Sequence, residues 1–215
     1  MGKINLDYII DYMESLLAAQ PACKREMRSY AKTYHIPIVE EVSENFIRLL
    51  MRMTKPEKVL ELGTAMGYST INFAKETYVK KVTSIEIRED MASLAMANVK
   101  KAGLEEKVEI RVNDAALELD KLTEGFDFIF IDAAKGQYQF YFDKAIRHLN
   151  AKGLIVCDNV LFKGMVASDE LLVRRKITLV RRLRSFLKNI FEDETLDASL
   201  LPLGDGILLI RRKDE

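Results

Sequence analysis

Apolar positions in the first part of the chain recur at helical spacing. Leu6, Ile9, Ile10, Met13, Leu16 and Leu17 fall three and four apart and make one apolar face. Pro21 interrupts the run. A more polar helix is predicted over residues 22–34, and Ile36-Pro37-Ile38 reads as a bend. A third helix places Val39, Val42, Phe46, Leu49, Leu50 and Met53 on one side before Pro56 ends it. Past Pro56 the period shortens. Residues 58–62, 81–86, 108–112, 126–132 and 154–158 read as strands, separated by helices starting near Ser69, over 90–102, just after Asp114, and over 138–149. A long helix follows over 170–190, then two strands, 196–201 and 207–212, joined by the turn Gly204-Asp205-Gly206. This order predicts an α/β fold. It is a Rossmann-like, doubly wound, mostly parallel seven-stranded sheet with an antiparallel last strand, preceded by N-terminal helices. Residues 1–55 are expected to form a helical cover and 56–215 the sheet domain, in a single compact unit.

Composition narrows this little. The chain has 215 residues, is 48% hydrophobic and carries 33 basic against 33 acidic side chains, so net charge indicates no partner. No apolar run approaches the roughly 18 residues that span a bilayer. The start lacks the apolar core of a signal peptide, and Leu6 stands where a Met1-Gly2 myristoylation signal needs Ser or Thr. Cys23 and Cys157 form no disulfide framework, and Cys157, in an apolar strand, is expected to be a core residue. A reducing cytoplasm is the expected location.

The chemistry lies at strand ends, which line the ligand crevice of an open parallel sheet. Asp132-Ala-Ala-Lys135 follows one apolar strand, and Asp158-Asn159 the next. Two carboxylates and an amide oxygen form an all-oxygen set suited to a hard cation such as Mg²⁺, and Lys135 can reach the same space as a base. The same residues have plainer uses: Asp132 as a helix cap, Asp158-Asn159 as a turn. Earlier, Val59-Leu-Glu-Leu-Gly-Thr-Ala-Met-Gly-Tyr-Ser69 is a strand, a glycine turn and a helix start. Gly63 and Gly67 are expected to let the backbone pass close to a bound cofactor, with Glu61 beside it. Their spacing is neither a dinucleotide fingerprint nor a P-loop, which argues against a nicotinamide oxidoreductase. Glu61 precedes the turn as an acid that disfavours a pyrophosphate and suits a cationic ligand. Glu86, 23 residues after Gly63, can take two ribose hydroxyls. Asn113-Asp114-Ala115 follows the third strand, at the place of an adenine edge. In this order the pieces indicate S-adenosylmethionine.

With these motifs, Ile85-Glu86, Phe130-Ile-Asp-Ala-Ala-Lys135, Asp158-Asn159-Val-Leu161 and Pro202-Leu-Gly-Asp-Gly206, the chain resembles the cation-dependent class I O-methyltransferases, which include catechol and caffeoyl-CoA O-methyltransferases. The resemblance runs from Ile36 to Arg212. It implies Asp132, Asp158 and Asn159 as metal ligands and Lys135 as the catalytic lysine. It also implies Val39, Gly63, Ser69, Glu86, Asp114, Ala115 and Asp132 around the cofactor. The chain has no tryptophan and lacks the longer substrate-capping insertion of some small-molecule members. Within the family it is most similar in size and character to the bacterial tRNA 5-hydroxyuridine methyltransferases. That implies methylation of a wobble-uridine 5-hydroxyl to 5-methoxyuridine; a small catechol or phenol is the alternative substrate.

Basic residues form two runs. Arg174, Arg175, Lys176, Arg181, Arg182, Arg184 and Lys188 crowd the late helix, whose side bearing Val173, Ile177, Val180, Leu183, Leu187 and Ile190 is expected to face the sheet. Lys24, Arg25, Arg28 and Lys32 form the other run. Each is either an electrostatic footprint for tRNA or a solvated helix face. Tyr138 and Tyr141 are candidates for stacking on a base, or for plain packing. His35 lies near the presumed cover, and His148 is expected at the surface. The apolar face of the first helices is available for a homodimer. A nucleic-acid-binding module with a vestigial pocket is the non-enzymatic alternative, disfavoured by Glu61, Glu86, Asp132 and Lys135.

Overall fold

The computed structural model describes residues 4–213; the Met1-Gly2 start lies outside them. Three helices come first: α1 (Asp7–Ser15), α2 (Ala22–Thr33) and α3 (Glu41–Thr54). Alternation then sets in with β1 (Lys58–Leu62), α4 (Tyr68–Ala74), β2 (Lys81–Glu86), α5 (Glu89–Lys101), β3 (Val108–Val112) and α6 (Ala115–Leu119). It continues with β4 (Phe126–Ile131), α7 (Tyr138–Ala145), β5 (Leu149–Cys157), α8 (Ile177–Glu192), β6 (Leu196–Leu201) and β7 (Ile207–Arg212). The sheet order is β3-β2-β1-β4-β5-β7-β6, with β7 antiparallel to both neighbours and the remaining pairs parallel. The chain order thus reverses between β3 and β4, and a ligand crevice opens beside β1 and β4.

The central strands are buried on both faces, as parallel strands flanked by helices must be. Their side chains alternate with period two. Leu60, Leu62, Ile129 and Ile131 pack with Phe142, Leu183 and Phe186 on one face. Val59, Phe128 and Phe130 pack with Ile47, Met51 and Phe73 on the other. Phe73 meets Phe128 and Phe130 edge-on, with ring centroids 5.9 and 5.5 Å away.

Two boundaries differ from the periodicity. The helix expected over 170–190 starts only at Ile177. Asn159, Phe162, Lys163 and Gly164 have positive φ and throw the chain into a loop, and two 3-10 turns, Asp169–Leu171 and Arg174–Lys176, follow it. Val173 therefore precedes the helix and is exposed instead of facing the sheet. At β5 the strand begins at Leu149, because a register shift opposite Phe126 and Phe128 absorbs the residues up to Leu154. Among the described residues no helix is long and apolar enough to cross a membrane.

Candidate active site

A cavity of about 610 Å³ opens over the C-terminal ends of the strands. Val39, Gly63, Ser69, Glu86, Asp114, Ala115, Asp132, Lys135 and Asn159 line it, joined from the cover by Tyr30, Tyr34 and His35. Glu61, Gly67 and Asp158 lie behind its wall.

The glycine turn is shaped by backbone approach. Gly63 has φ +99°, and a Cβ there would lie 2.2 Å from the Asp132 carbonyl oxygen. Gly67, at φ +81°, ends the turn before α4, and its missing Cβ leaves room for Ala95 of α5. That φ and the approach of Ala95 both call for glycine here, and Gly67 is not among the residues lining the cavity.

Glu61 also departs from the expected direct contact. It is wholly buried and accepts hydrogen bonds from the hydroxyls of Ser69, Thr70 and Ser84. Ser84 commits its only hydroxyl hydrogen to Glu61, so Thr64 donates the 2.6 Å bond between Thr64 and Ser84. Burial pushes the Glu61 carboxyl up to about 7, against the pull of the three hydroxyls. Glu61 reaches the cavity through Ser69, and through Ser84 and Thr64 in turn.

At the end of β2, Glu86 accepts from the amides of Ala65 and Arg88 at 2.8 and 2.9 Å, which fixes its carboxylate at the cavity wall. Asp114 caps α6 by accepting from the amides of Ala116 and Leu117. Tyr141 borders the same part of the cavity. Exposed Ile87 and the partly buried Met91 complete this wall. Neither is singled out by sequence motif; an apolar residue left exposed beside a strand-end acid is a three-dimensional signal.

Lys135, Asp132 and Asn159 converge. Lys135 Nζ lies 2.9 Å from Asn159 Oδ1 and 3.7 Å from Asp132 Oδ1. Asn159 adopts φ +59°, and its amide donates to Asp158 Oδ1 at 2.7 Å. Tyr138 ties the two strand ends together, its hydroxyl donating to the Asp158 carbonyl at 2.7 Å. Tyr138 is thus buried and committed, and cannot stack on a base. Burial raises the Asp158 carboxyl to about 7, with Asp132 adding to the rise. Burial raises the Asp132 carboxyl too, opposed by Lys135. Two carboxylates facing one ammonium form a site short of positive charge. Among the described residues no group of three His, Cys, Asp or Glu side chains gathers for a metal; the oxygens at hand here are those of Asp132, Asp158 and the Asn159 amide. This hard-oxygen set fits a divalent cation.

The basic runs divide. Lys24 and Arg28 turn inward and pair with Glu44, their side chains only 12% and 17% exposed. Arg25 bonds the Gln20 carbonyl. Of that run, Arg25 and Lys32 remain exposed. Arg174, Arg175, Arg181 and Arg182 are exposed, and Arg182 Nη1 lies 3.4 Å from the Gly136 carbonyl, next to Lys135. His148 is half-buried, its Nε2 2.9 Å from the Leu119 carbonyl.

Comparison with known proteins agrees with this geometry. The model of the O-methyltransferase family matches residues 15–213. Caffeoyl-CoA O-methyltransferase 2 of Populus trichocarpa is 30% identical over 218 residues, covering 95% of this chain and 87% of its own. The SAH-bound methyltransferase PaMTH1 of Podospora anserina superposes with a TM-score of 0.87 at 26% identity, covering 97% of this chain and 95% of that one. An O-methyltransferase from Bacillus cereus in complex with SAH gives 0.83 at 27% identity, covering 96% and 97%.

Proposed function

Since the chain belongs to the O-methyltransferase family and is an S-adenosylmethionine-dependent O-methyltransferase, we propose that it methylates a hydroxyl chelated beside a second oxygen, and that this hydroxyl is the 5-hydroxyl of 5-hydroxyuridine in tRNA. One observation carries the chemistry: Lys135, Asn159 and Asp132 meet at neighbouring strand ends, on the wall of the cavity that also holds Glu86 and Asp114.

In this reading Glu86 takes the ribose hydroxyls of the cofactor, and Asp114 and Ala115 border its adenine. Val39, Gly63 and Ser69 enclose its methionyl end, with Glu61 holding Ser69 from behind and Gly67 shaping the turn. Bound there, S-adenosylmethionine supplies an electrophilic methyl group. Asp132, Asp158 and Asn159 would hold a divalent cation such as Mg²⁺, which when bound would supply Lewis acidity toward the substrate hydroxyl. Lys135 takes the proton from the hydroxyl. Asn159, by bonding Lys135 Nζ, orients that amine, and Tyr138 keeps the two strand ends at fixed separation. On this reading acceptor and methyl donor would lie in line within the cavity, and orientation would contribute much of the rate.

5-Hydroxyuridine has its hydroxyl beside the C4 carbonyl, an adjacent oxygen pair of the kind a catechol offers. Arg174, Arg175 and Arg181 are exposed, and exposed Arg182 reaches the Gly136 carbonyl; together they support a polyanionic substrate entering beside Lys135. The names of the curated relatives favour the second reading, a small catechol or phenol. A homodimer is also proposed: α1 and α3 leave Tyr8, Tyr12, Leu16, Leu49 and Met53 exposed.

The test is nucleoside mass analysis of tRNA carrying 5-hydroxyuridine, before and after incubation with the protein, S-adenosylmethionine and Mg²⁺. Conversion to 5-methoxyuridine that EDTA abolishes supports the proposal. Methylation of catechols with untouched tRNA selects the second reading, and full turnover in EDTA removes the cation.

A further inference from the structure

We propose that Glu44 is a positioning residue for the cofactor, acting through Tyr68 and through the main chain at Val39. The proposal rests on the assignment of the main cavity to S-adenosylmethionine.

Glu44 lies on α3 and is 8% exposed, outside the cavity wall. Its carboxylate is engaged from two other helices. Oε1 receives the Lys24 ammonium of α2. Oε2 receives Arg28 Nη2, also of α2, at 2.6 Å and the Tyr68 hydroxyl of α4 at 2.7 Å. The same guanidinium donates to the Val39 carbonyl at 3.1 Å and sits 4.8 Å over the Tyr68 ring. Tyr68 and Val39 both line the cavity. One carboxylate thus fixes two wall residues on separate elements.

The need for such a fixture lies in α2. It buries only Ala31, yet it carries Tyr30 and leads through Tyr34 and His35 into the segment 36–39, all of which border the cavity. An element with so little buried apolar surface is held in register by few contacts. The apolar patch of Ala31, Met66 and Tyr68 is one attachment and the Glu44 carboxylate is a second, beside the more exposed Arg28–Glu41 and Glu26–Lys101 pairs. The network is partly shielded from solvent, where charge-assisted hydrogen bonds are stronger and more directional than at an exposed surface. The charges balance locally, with Lys24 and Arg28 facing Glu44 and Glu41, so removing one carboxylate leaves a shielded cation in excess.

Glu44→Gln keeps the shape and an acceptor for Tyr68 but breaks both ion pairs. Tyr68→Phe keeps the ring under Arg28 and removes only the hydroxyl. Calorimetric titration with SAH should show Kd raised by about tenfold in Glu44→Gln, which loses both ion pairs, and by roughly threefold in Tyr68→Phe, which loses a single hydrogen bond to the carboxylate. KM for S-adenosylmethionine should rise in parallel, with kcat at saturating cofactor changing much less. A carboxylate serving stability alone would lower the melting temperature and the active fraction, hence kcat, and leave Kd and KM unmoved. That result, or Kd within twofold of wild type in both variants, overturns the proposal. If Glu44→Gln does not fold, Tyr68→Phe decides alone. Glu86→Ala separates the premise from the inference: if it leaves SAH binding unchanged, the cavity assignment fails, whatever Glu44 does.

Discussion

Glu61→Gln tests the electrostatics under the cofactor loop. Glu61 is fully enclosed, and burial lifts its carboxyl to about 7 from an ordinary 4.5. A carboxyl raised in the folded state binds its proton more tightly there than in the unfolded chain. The group's stabilisation is therefore complete below 4.5, declines as pH rises, and is gone above about 7. The slope is about 1.4 kcal/mol per pH unit, so a window of roughly 2.5 units amounts to about 3 kcal/mol. Glutamine has nearly the same shape, stays neutral, and still offers an oxygen to the hydroxyls of Ser69, Thr70 and Ser84, so it lacks this slope. Urea unfolding of both ligand-free proteins, in steps from about pH 5 to about pH 8, should show the stability difference moving in favour of the variant by about 3 kcal/mol. In a chain of 215 residues that corresponds to about 6–12 °C in melting temperature. Most other titrating groups act alike in the two proteins and cancel in the difference. Unfolding free energies that run parallel across this range would refute a desolvated, ionising Glu61.

Lys135→Ala should lower kcat by about 10²-fold or more while SAH affinity by calorimetry stays within about twofold; near-normal turnover removes Lys135 as the base. Gly63→Ala combines a positive φ with a Cβ placed 2.2 Å from the Asp132 carbonyl. It should cost about 2–5 kcal/mol in chemical unfolding, and activity should fall with it; wild-type stability would contradict the close approach. Replacing Arg181 and Arg182 together by Glu should raise KM for tRNA and flatten its dependence on salt, by roughly one in log–log slope for each phosphate no longer neutralised. An unchanged salt slope would take this face out of RNA binding.

The alternation of short strands with helices was readable because the apolar period switches from helical to strand spacing at Pro56, and the chemistry-bearing acids stand just where each strand stops. The late hairpin was readable from Gly204-Asp205-Gly206 and matches β6 and β7 residue for residue. Other features depend on partners far apart in sequence. Lys24 and Arg28 look like a basic patch until α3 brings Glu44 against them. Tyr138 and Tyr141 are alike in sequence, yet one is locked to the Asp158 carbonyl and the other borders the cavity. The loop after Asp158 hides its shape because Asn159, Phe162 and Lys163 take positive φ without being glycine, a conformation no periodicity announces.

The order of the strands sets the order of the ligands. Across the sheet the strand-end residues run Asp114, Glu86, Gly63, Asp132, Asp158, following β3-β2-β1-β4-β5. Main-chain hydrogen bonds continue the ladders past the strand ends: Asn113 N to Glu86 O, Gly63 N to Ile85 O, Asp132 N to Leu62 O and Asp158 N to Ile131 O, all between 2.9 and 3.0 Å. Neighbouring strands lie about 4.8 Å apart, so the row spans about 19 Å. On the proposed assignment adenine, ribose and methionyl end occupy the steps from β3 to β1. The methyl then faces the gap between β4 and β5, where Asp132, Asp158, Asn159 and Lys135 stand. Slipping β4 by one residue against β1 would turn the Asp132 side chain to the opposite face. The Gly63–Asp132 approach opposes that slip, because only the observed register sets the Asp132 carbonyl against a residue without a Cβ. On that assignment, the glycine that opens the loop also fixes the register that sets Asp132 beside the acceptor.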